Sequence, residues 1–407
     1  VRDWAARPRA VMLGAMLAAF FVLSMSEFGQ REHEVLIAII PYAILTARRA
    51  EGRSVSWPMA LAVGLLATPM LALKHYFVLL PIGLEIWLTW QRRSFRPFRP
   101  ETLCLASGAI VYAGAIVLFA RSYLTDMVPQ LSVAYGDFRM LPVMMVLNKL
   151  TPALVVCVFY FWHFRNSLPI VTQALLVVSG AFAVSFYLQS KGFAYHIDPV
   201  IAGLTMTMVT HVLLPQPNAP KRDRSVVLLA AAIFVVLLAP VFTNGPYRSN
   251  NEQVVTEFLQ RLEPGSGVAP LSTRPSLLWP MVVTENVRLP LRYYHFWMLN
   301  AVAAAAYRGE DMNPRLAEFA EGVRQQTVDD LLCNPPAVIL VDIWTLSDLG
   351  FRALDFFMQH GAFQAVMASY EPDGRLGPFD VYRRVADLPP PTGLTCMNIG
   401  VGLNSPT

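Results

Sequence analysis

Apolar runs and basic clusters alternate along the first 242 residues, and this alternation restricts what the chain can fold into. Nine apolar runs cover residues 10–27, 34–47, 57–72, 75–90, 102–120, 140–162, 168–189, 199–214 and 225–242. Every second gap holds a basic cluster, and together the clusters contain Arg2, Arg7, Arg9, Arg48, Arg49, Arg53, Arg92, Arg93, Arg96, Arg99, Arg165, Lys221, Arg222 and Arg224. Basic loops resist translocation and stay cytoplasmic. The sequence therefore predicts a polytopic α-helical membrane protein with about nine transmembrane helices.

The remaining gaps are poor in basic residues and contain Arg31, Lys74, Arg121, Arg139 and Lys191. This bias predicts a cytoplasmic N-terminus and places everything after about residue 243 outside the cytoplasm. We predict a transmembrane domain at 1–242 and an extracytoplasmic α/β domain at 243–407. Since the formal charge of +4 is used for orientation in the membrane, we expect no nucleic-acid partner.

Two neighbouring apolar runs, 57–72 and 75–90, are short for membrane spans. A span needs about 20 residues to cross roughly 30 Å of hydrocarbon. The two runs could instead form a broken pair of short helices, separated by residues 73–76.

The C-terminal domain has the pattern of a small mixed sheet packed by helices. Continuous apolar runs predict strands at 268–271 and 337–341, and helical periodicity covers 250–262, 294–307, 314–332 and 351–360. Residues 365–370 and 378–383 are predicted to form a terminal hairpin around a turn at 371–374.

The four cysteines divide between the two predicted domains. Cys104 and Cys157 fall inside apolar runs, where a thiol acts as a small hydrophobic group. Cys333 and Cys396 fall in the external domain, and an oxidising compartment would allow them to form a disulfide. Spacing alone does not decide whether they pair.

Four polar segments fall on the predicted external face, where charges near a bilayer are candidates for function. Residues 27–34 supply the candidate catalytic carboxylates Glu27, Glu32 and Glu34, and the candidate substrate ligands Arg31 and His33. The other candidate substrate ligands are Lys74 and His75 in the second segment, and Lys191, Tyr195 and His196 in the third. The fourth segment, 121–139, is typical of an amphipathic helix on the membrane surface.

Each of these segments also has a structural interpretation. Residues 27–34 could be an interfacial loop that needs only water, and Lys74 could be an interfacial anchor. A single histidine such as His196 is usually structural.

Cations and carboxylates on the outer face fit an anionic, lipid-linked substrate. Phosphate oxygens need cationic donors, while a lipid tail needs an apolar groove between helices. A carboxylate could serve as the base for an acceptor hydroxyl, or could hold a divalent cation.

The chain resembles the GT-C superfamily of integral membrane glycosyltransferases, and is most similar to its bacterial branch of protein O-mannosyltransferase-like and lipid A sugar transferases. Three segments carry the resemblance: Ser26–Leu36 as a short external loop with Arg and acidic residues, Leu61–Pro81 with Lys74 at its centre, and Gln189–His196 ahead of a span that contains Pro199. The C-terminal α/β domain also matches the external domain of many members.

The resemblance implies transfer of a sugar from a polyprenyl-phosphate carrier to a glycan, lipid or protein acceptor of the cell envelope, at the bacterial inner membrane. Lys74, Lys191 and His196 would hold the carrier phosphate, and Arg31 and Glu32 would border the acceptor. The C-terminal domain would be periplasmic.

The sequence departs from the family pattern at its N-terminal end. The family's principal acidic residue follows an N-terminal span, in the first external loop, and this chain has no such loop before its first apolar run. Two expectations stay open: either upstream sequence contains the catalytic acid, or Val1 is the true start and the chain lacks that acid. A non-catalytic envelope scaffold that binds glycan is the alternative, and a transporter is a further one, although no internal repeat is present.

Overall fold

A computed structural model describes residues 28–136, 140, 142–148, 150–214, 251–274, 277–278, 281–309, 311–343, 350–390, 393 and 396, together with scattered positions between 10 and 24. The described chain is mostly helical and contains one small sheet. It divides into two compact units. The first unit combines Val1–Arg121 with Met140–Tyr247, and the second combines Ser122–Arg139 with Arg248–Thr407.

In chain order, the helices are α1 (Arg31–Ala50), α2 (Trp57–Leu71), α3 (Leu79–Arg92), α4 (Pro100–Phe119), α5 (Val128–Gly136), α6 (Pro142–Val146), α7 (Leu150–His163), α8 (Ile170–Gln189), α9 (Ala194–Leu213), α10 (Glu252–Leu259), α11 (Met281–Thr284), α12 (Leu299–Tyr307), α13 (Pro314–Cys333), α14 (Ala353–Met358) and α15 (Gly361–Met367). The strands are β1 (Val268–Leu271), β2 (Val338–Asp342), β3 (Tyr370–Leu376) and β4 (Phe379–Arg384).

Two of the described helices, α4 and α8, are long and apolar enough to cross a membrane. Their most apolar 18-residue windows have mean hydropathies of 2.1 and 1.8, and the shorter helices α2 and α7 are also apolar. The arrangement of about nine spans stays a prediction. The run 225–242 lies outside the described residues, as does much of the run 10–27.

The predicted break between two short helices is confirmed. Helix α2 ends at Leu71, residues His75–Val78 form a 3₁₀ turn, and α3 begins at Leu79. Lys74 itself is extended, with φ of −148° and ψ of 136°. The break therefore leaves Lys74 outside both helices, where its side chain can turn towards other elements.

Close helix contacts in the first unit depend on small residues. Helix α8 packs against α1, α3 and α9. At Gly203 of α9, an added Cβ would lie 2.5 Å from the Ser179 hydroxyl oxygen of α8. At Gly108 of α4, an added Cβ would lie 2.0 Å from the methyl group of Thr68 in α2. Glycine at these positions lets the helix backbones approach, as in helix pairs that pack within a bilayer.

The second unit is built on a four-stranded sheet with the strand order β1-β2-β4-β3. β1 and β2 are parallel, with Val268 opposite Val338, and β4 is antiparallel to both β2 and β3. Alternate residues of β2 enter two separate cores: Ile339 and Val341 face one, and Val338 and Leu340 face the other. A strand covered on both faces explains the continuous apolar run at 337–341.

The predicted position of the terminal hairpin is wrong. Residues 371–374 lie inside β3, and the chain reverses at Gly377 and Pro378, between the paired residues Leu376 and Phe379. Gly377 has a φ of 55°, which a two-residue hairpin turn commonly requires. Residues 365–367, predicted as strand, belong to α15 because Phe363 and Val366 are on its buried face.

The segment 121–139 supplies a helix to the second unit. Ala134 of α5 is buried in that unit's core, and the Tyr135 ring stacks on Trp297 at 4.7 Å. These contacts differ from those of a helix resting on a membrane surface. Asp137 and Arg139 lie outside the described residues.

Cys333 and Cys396 form a disulfide in the second unit. Their Cα atoms are 5.3 Å apart, and the bond joins the end of α13 to a residue 63 positions later. A bond of this kind is stable in an oxidising compartment, which agrees with the predicted external location. Cys104 and Cys157 are buried free thiols.

Replacing Cys396 with serine should lower the free energy of unfolding of the second unit by about 2–5 kcal/mol, because the unfolded chain loses a cross-link. Thermal unfolding of wild type, Cys396→Ser and Cys333→Ser/Cys396→Ser under non-reducing conditions measures this loss. Both variants should lose the same free energy of unfolding, and wild type with a reduced disulfide should be as stable as the variants. Wild-type stability that does not respond to reductant would contradict the disulfide.

His295 is a half-buried titratable group of the second unit. Its ring contacts Tyr294 at 4.3 Å, and Nδ1 has no hydrogen-bond partner among the described residues. Burial lowers the pKa of His295 from 6.5 to about 4. The unfolded chain therefore binds a proton at a higher pH than the folded chain does, and the free energy of unfolding decreases as pH falls from 6.5 towards 4.

We expect this effect to cost about 1–3 kcal/mol by pH 4.5, allowing for partial solvent access. Pulse proteolysis in urea at pH 7.0, 5.5 and 4.5, read on peptides from 281–343, measures the stability. His295→Gln should flatten the pH dependence relative to wild type, whereas His360→Gln is the control replacement. An unchanged slope in His295→Gln would show that other groups cause the acid sensitivity.

Candidate functional site

Three of the predicted site residues meet in one buried cluster, although they come from three distant segments of sequence. Lys74 Nζ donates a hydrogen bond to Glu32 Oε1, and it lies 3.1 Å from His196 Nε2. The same His196 nitrogen lies 3.2 Å from Glu32 Oε1. We call Glu32, Lys74 and His196 the Lys74 cluster.

The secondary structure explains how these side chains meet. Glu32 lies in the first turn of α1, His196 lies in the first turn of α9, and Lys74 lies in the break before α3. Helix α9 packs against both α1 and α8, which brings the starts of α1 and α9 together. The extended backbone at Lys74 then lets a long, flexible side chain reach both.

The cluster is shielded from solvent. Glu32 and His196 are 2% and 4% exposed, and the Lys74 side chain is 12% exposed. The Lys74 ammonium also lies 5.1 Å from the centroid of the Tyr195 ring, close enough for a cation–π interaction. Each buried charge has an opposite charge beside it, as burial of ionised groups requires.

The position of one proton decides the hydrogen bonds within the cluster. His196 Nε2 either accepts a hydrogen bond from Lys74 or carries a proton and donates it to Glu32. It cannot do both, because a ring nitrogen has one site for a proton or a lone pair. The two arrangements differ by a tautomer shift, so the cluster can change its hydrogen-bond pattern without moving the backbone.

Several polar positions in the cluster can accept a further partner. Glu32 Oε2 and His196 Nδ1 are buried and make no hydrogen bond with the described part of the chain. Lys74 has three N–H donors and uses them on two acceptors at most. Arg31 is exposed at the start of α1, and its positive charge acts on both Lys74 and His196. A phosphate or hydroxyl group could use these positions.

The cluster does not fit a divalent cation. The Lys74 ammonium lies within hydrogen-bond distance of both potential metal ligands, Glu32 and His196, and repels a second cation there. Within the described residues, no group of three His, Cys, Asp or Glu side chains is arranged to hold a metal. The predicted role of the carboxylates as cation ligands therefore finds no support in this arrangement.

His33 and His75 do not belong to the cluster. Both ring nitrogens of His33 contact the backbone: Nδ1 accepts from the Gly29 N–H, and Nε2 lies at the Phe20 carbonyl oxygen. His75 is exposed, and its ring contacts that of Tyr76 in a tilted arrangement, with the centroids 4.1 Å apart. Both ring nitrogens of His33 are already used by the backbone, so its role as a substrate ligand stays a prediction that this arrangement does not support.

The remaining predicted residues have separate positions. Glu34 is half-buried and has no ion pair with a described residue. Lys191 is half-buried in the loop between α8 and α9, five positions before His196. Glu27 lies outside the described residues.

Sequence reasoning missed a second set of paired charges in the first unit. Glu101 binds Arg49, and Glu85 binds Arg99. These arginines were predicted only as signals for orientation in the membrane. The signal that could have found them is the presence of Glu85 and Glu101, single carboxylates next to clusters of arginine.

The second unit also has ion pairs that the sequence did not predict, each formed by a buried aspartate and a partly exposed arginine. Arg274 donates to both carboxylate oxygens of Asp342, which also accepts from Ser272 at 2.6 Å. Arg292 also forms an ion pair with Asp330, in which Nε and Nη2 both donate to the carboxylate. Both pairs connect loops to the sheet and to α13, and they fit a structural role.

Comparison with known proteins found no relative of this chain. No protein-family model, no curated protein and no solved structure matched the chain. The geometry and the sequence pattern are therefore the basis for any assignment of function.

Proposed function

We propose a membrane glycosyltransferase function for this chain, the transfer of a sugar from a polyprenyl-phosphate carrier to a cell-envelope acceptor on the outer face of the membrane. The observation that carries the proposal is the convergence of Glu32, Lys74 and His196. These residues come from the three segments on which the resemblance to GT-C enzymes rests.

A membrane location is supported by apolar side chains of α4 that are exposed in the described part of the chain. Only Glu101 and Cys104 of the 20 residues of α4 are buried. Phe119, Leu118 and Ile110 are 87%, 75% and 73% exposed. An apolar face of this size needs a cover, and lipid supplies one for a helix of 20 residues.

The orientation of the chain is supported by two independent features. The basic clusters fall in alternate gaps, which favours a cytoplasmic N-terminus. The Cys333–Cys396 disulfide favours an oxidising location, such as the bacterial periplasm, for the second unit. This orientation puts the sequence gaps that contain Arg31, Lys74 and Lys191 on the external side.

Lys74 and Arg31 are suited to a phosphate group in different ways. Lys74 is a point charge held in place by Glu32 and His196, whereas Arg31 is an exposed, planar guanidinium that can reach a ligand outside the cluster. Lys191, on the loop before α9, is the third cation that we assign to the carrier phosphate. In this arrangement, the carrier lipid would bind with its phosphate above the start of α1.

Glu32 has a positioning role in this proposal. A carboxylate bonded to an ammonium group is a poor proton acceptor, because the neighbouring positive charge stabilises its ionised form. Glu32 therefore fixes Lys74, while the base that accepts the proton of the acceptor hydroxyl is a different group. Among the described carboxylates of residues 27–34, Glu34 has no ion pair and remains available.

One observation favours the non-catalytic scaffold as the second candidate. The charge of Lys74 is already balanced by Glu32, which is also what a structural link between α1, α9 and the α2–α3 break would require. A scaffold would lose stability when the pair is removed, but would show no phosphate-dependent ligand binding.

The test compares the binding of farnesyl phosphate with that of farnesol, which has the same tail but no phosphate, by ligand-dependent thermal stabilisation of the full chain in detergent. Lys74→Met/Glu32→Gln removes both charges and so avoids an unpaired buried carboxylate. Farnesyl phosphate binding should weaken about tenfold to a hundredfold, as expected for loss of a charge-assisted hydrogen bond. Farnesol binding should not change.

Two further variants make the test sharper. Lys74→Met alone should lower the free energy of unfolding by about 3–5 kcal/mol, because Glu32 then stays buried without a counter-charge, and the double variant should recover most of it. Lys191→Ala should weaken phosphate binding without this loss of stability. Equal affinity for farnesyl phosphate and farnesol in wild type would reject the transferase proposal and favour the scaffold.

A further inference from the structure

Two arginine-rich loops that the sequence assigns to the cytoplasmic side enclose a cavity in the first unit. The cavity has a volume of about 270 Å³, and its wall contains Arg49, Arg53, Arg92, Arg96 and Arg99 together with Glu85. We call these six residues the arginine pocket. Arg49 and Arg53 follow from the end of α1, Glu85 and Arg92 belong to α3, and Arg96 and Arg99 lie before α4.

The inner part of the pocket is held in a fixed arrangement. Arg49 binds both oxygens of Glu101, with Nη2 donating to Oε2 at 2.8 Å, and Glu101 is 1% exposed. Arg99 donates to Glu85, which also accepts a hydrogen bond from the Tyr42 hydroxyl at 3.2 Å. These contacts orient two guanidinium planes before any ligand arrives, which reduces the entropic cost of binding one.

The outer part of the pocket carries positive charge that the described protein does not balance. Arg92 and Arg96 are exposed and make no ion pair with any described residue. Arg92 also packs closely on Gly52, where an added Cβ would lie 2.9 Å from its Nη1 atom. Gly52 has a φ of 76°, so both its backbone conformation and its missing side chain make room for Arg92.

A cluster of basic residues at a membrane surface usually serves orientation alone, and such residues point individually into water. Here five arginines line one concave space, and three of them, Arg49, Arg53 and Arg99, pair with carboxylates. A signal for orientation requires neither the concavity nor the fixed geometry. The arrangement resembles the way arginine binds phosphate, with planar groups of N–H donors facing a shared anion.

The size and surroundings of the pocket limit the ligand. A volume of about 270 Å³ is below the roughly 300–1,000 Å³ typical of pockets for drug-sized molecules, so the bound group is small. Phe95 and Phe98, in the same loop, are 69% and 85% exposed. Exposed aromatic rings next to arginine suit the headgroup region of a bilayer, where a phospholipid would present its phosphate.

We propose that the arginine pocket binds the phosphate group of a small anionic ligand, at a site separate from the Lys74 cluster. The two sites lie at opposite ends of α1, since Glu32 and Arg49 are 17 positions apart and an α-helix rises 1.5 Å per residue, or about 26 Å in all. The phosphate can come from a phospholipid headgroup or from a free phosphate compound, and the two sources are distinguished by experiment.

The experiment measures ligand-dependent thermal stabilisation of the full chain in neutral detergent at constant ionic strength. The probes are dihexanoyl-phosphatidylglycerol and inorganic phosphate, with dihexanoyl-phosphatidylcholine as the zwitterionic comparison. Saturable binding of phosphatidylglycerol alone assigns the pocket to a lipid headgroup, and saturable binding of both anionic probes assigns it to phosphate from either source. Failure of both probes to give saturable binding overturns the proposal.

Matched variants connect binding to the pocket. Arg92→Gln/Arg96→Gln should weaken binding of the responding probe about tenfold to a hundredfold, by loss of charge-assisted hydrogen bonds. Arg93→Gln/Arg165→Gln removes the same charge from the same predicted face but outside the pocket, since Arg93 stacks on Trp90 and Arg165 on Trp162. The affinity of this control variant for the responding probe should stay within about twofold of the wild-type affinity, because exposed surface charges interact weakly and are screened by salt.

Equal losses in the two double variants would overturn the proposal, because they would show general surface attraction instead of a site. The single variant Arg96→Gln covers the case in which the double variant folds poorly, since Arg96 is exposed and its loss leaves the inner ion pairs in place. It should still weaken binding several-fold relative to Arg93→Gln.

Discussion

Charges in an apolar unit must be paired when they are buried, and this constraint organises the first unit at both ends of α1. At the start of the helix, Glu32 pairs with Lys74, and at its end Arg49 pairs with Glu101. Each pair joins α1 to a loop or helix that is distant in sequence. Since an unpaired buried charge costs several kcal/mol, the pairs restrict how α2, α3 and α4 can be placed around α1.

The same constraint explains why the two ends have different chemical characters. At the Lys74 cluster, the charges of one ammonium and one carboxylate balance each other, and His196 Nε2 lies within hydrogen-bond distance of both groups. At the arginine pocket, five arginines meet three carboxylates, those of Glu51, Glu85 and Glu101, so a net positive charge remains. The first end can hold and position a reacting group, while the second end can attract an anion without further chemistry.

The candidate site could be predicted only in part from the sequence. Lys74 and His196 were recognisable because polar residues interrupt strongly apolar runs, and Glu32 because it lies in a dense polar segment. His33 has the same signal as Glu32 and lies next to it, yet its ring is used by the Gly29 and Phe20 backbone. Neighbours on a helix differ by about 100° in direction, so adjacent polar residues face different surroundings.

The arginines at the other end of α1 show a related limit of sequence reasoning. Alternation along the chain predicted their side of the membrane, but it carried no information about which loops lie next to each other. Glu101 pairs with Arg49, 52 positions away, and Glu85 pairs with Arg99, 14 positions away. These ion pairs bring the arginine-containing segments together. A pattern counted along the chain cannot distinguish an exposed arginine from one that lines a cavity.

The sequence by itself determined the apolar and basic periodicity, the helix break at Lys74, and the strands β1 and β2, because these depend on local composition. The tertiary structure decided the turn at Gly377, the place of α5 in the second unit, the Cys333–Cys396 bond and the grouping of Glu32 with Lys74 and His196. Those features depend on which distant segments pack together. Packing of that kind is selected by the balance of burial, pairing and close contact over the whole fold.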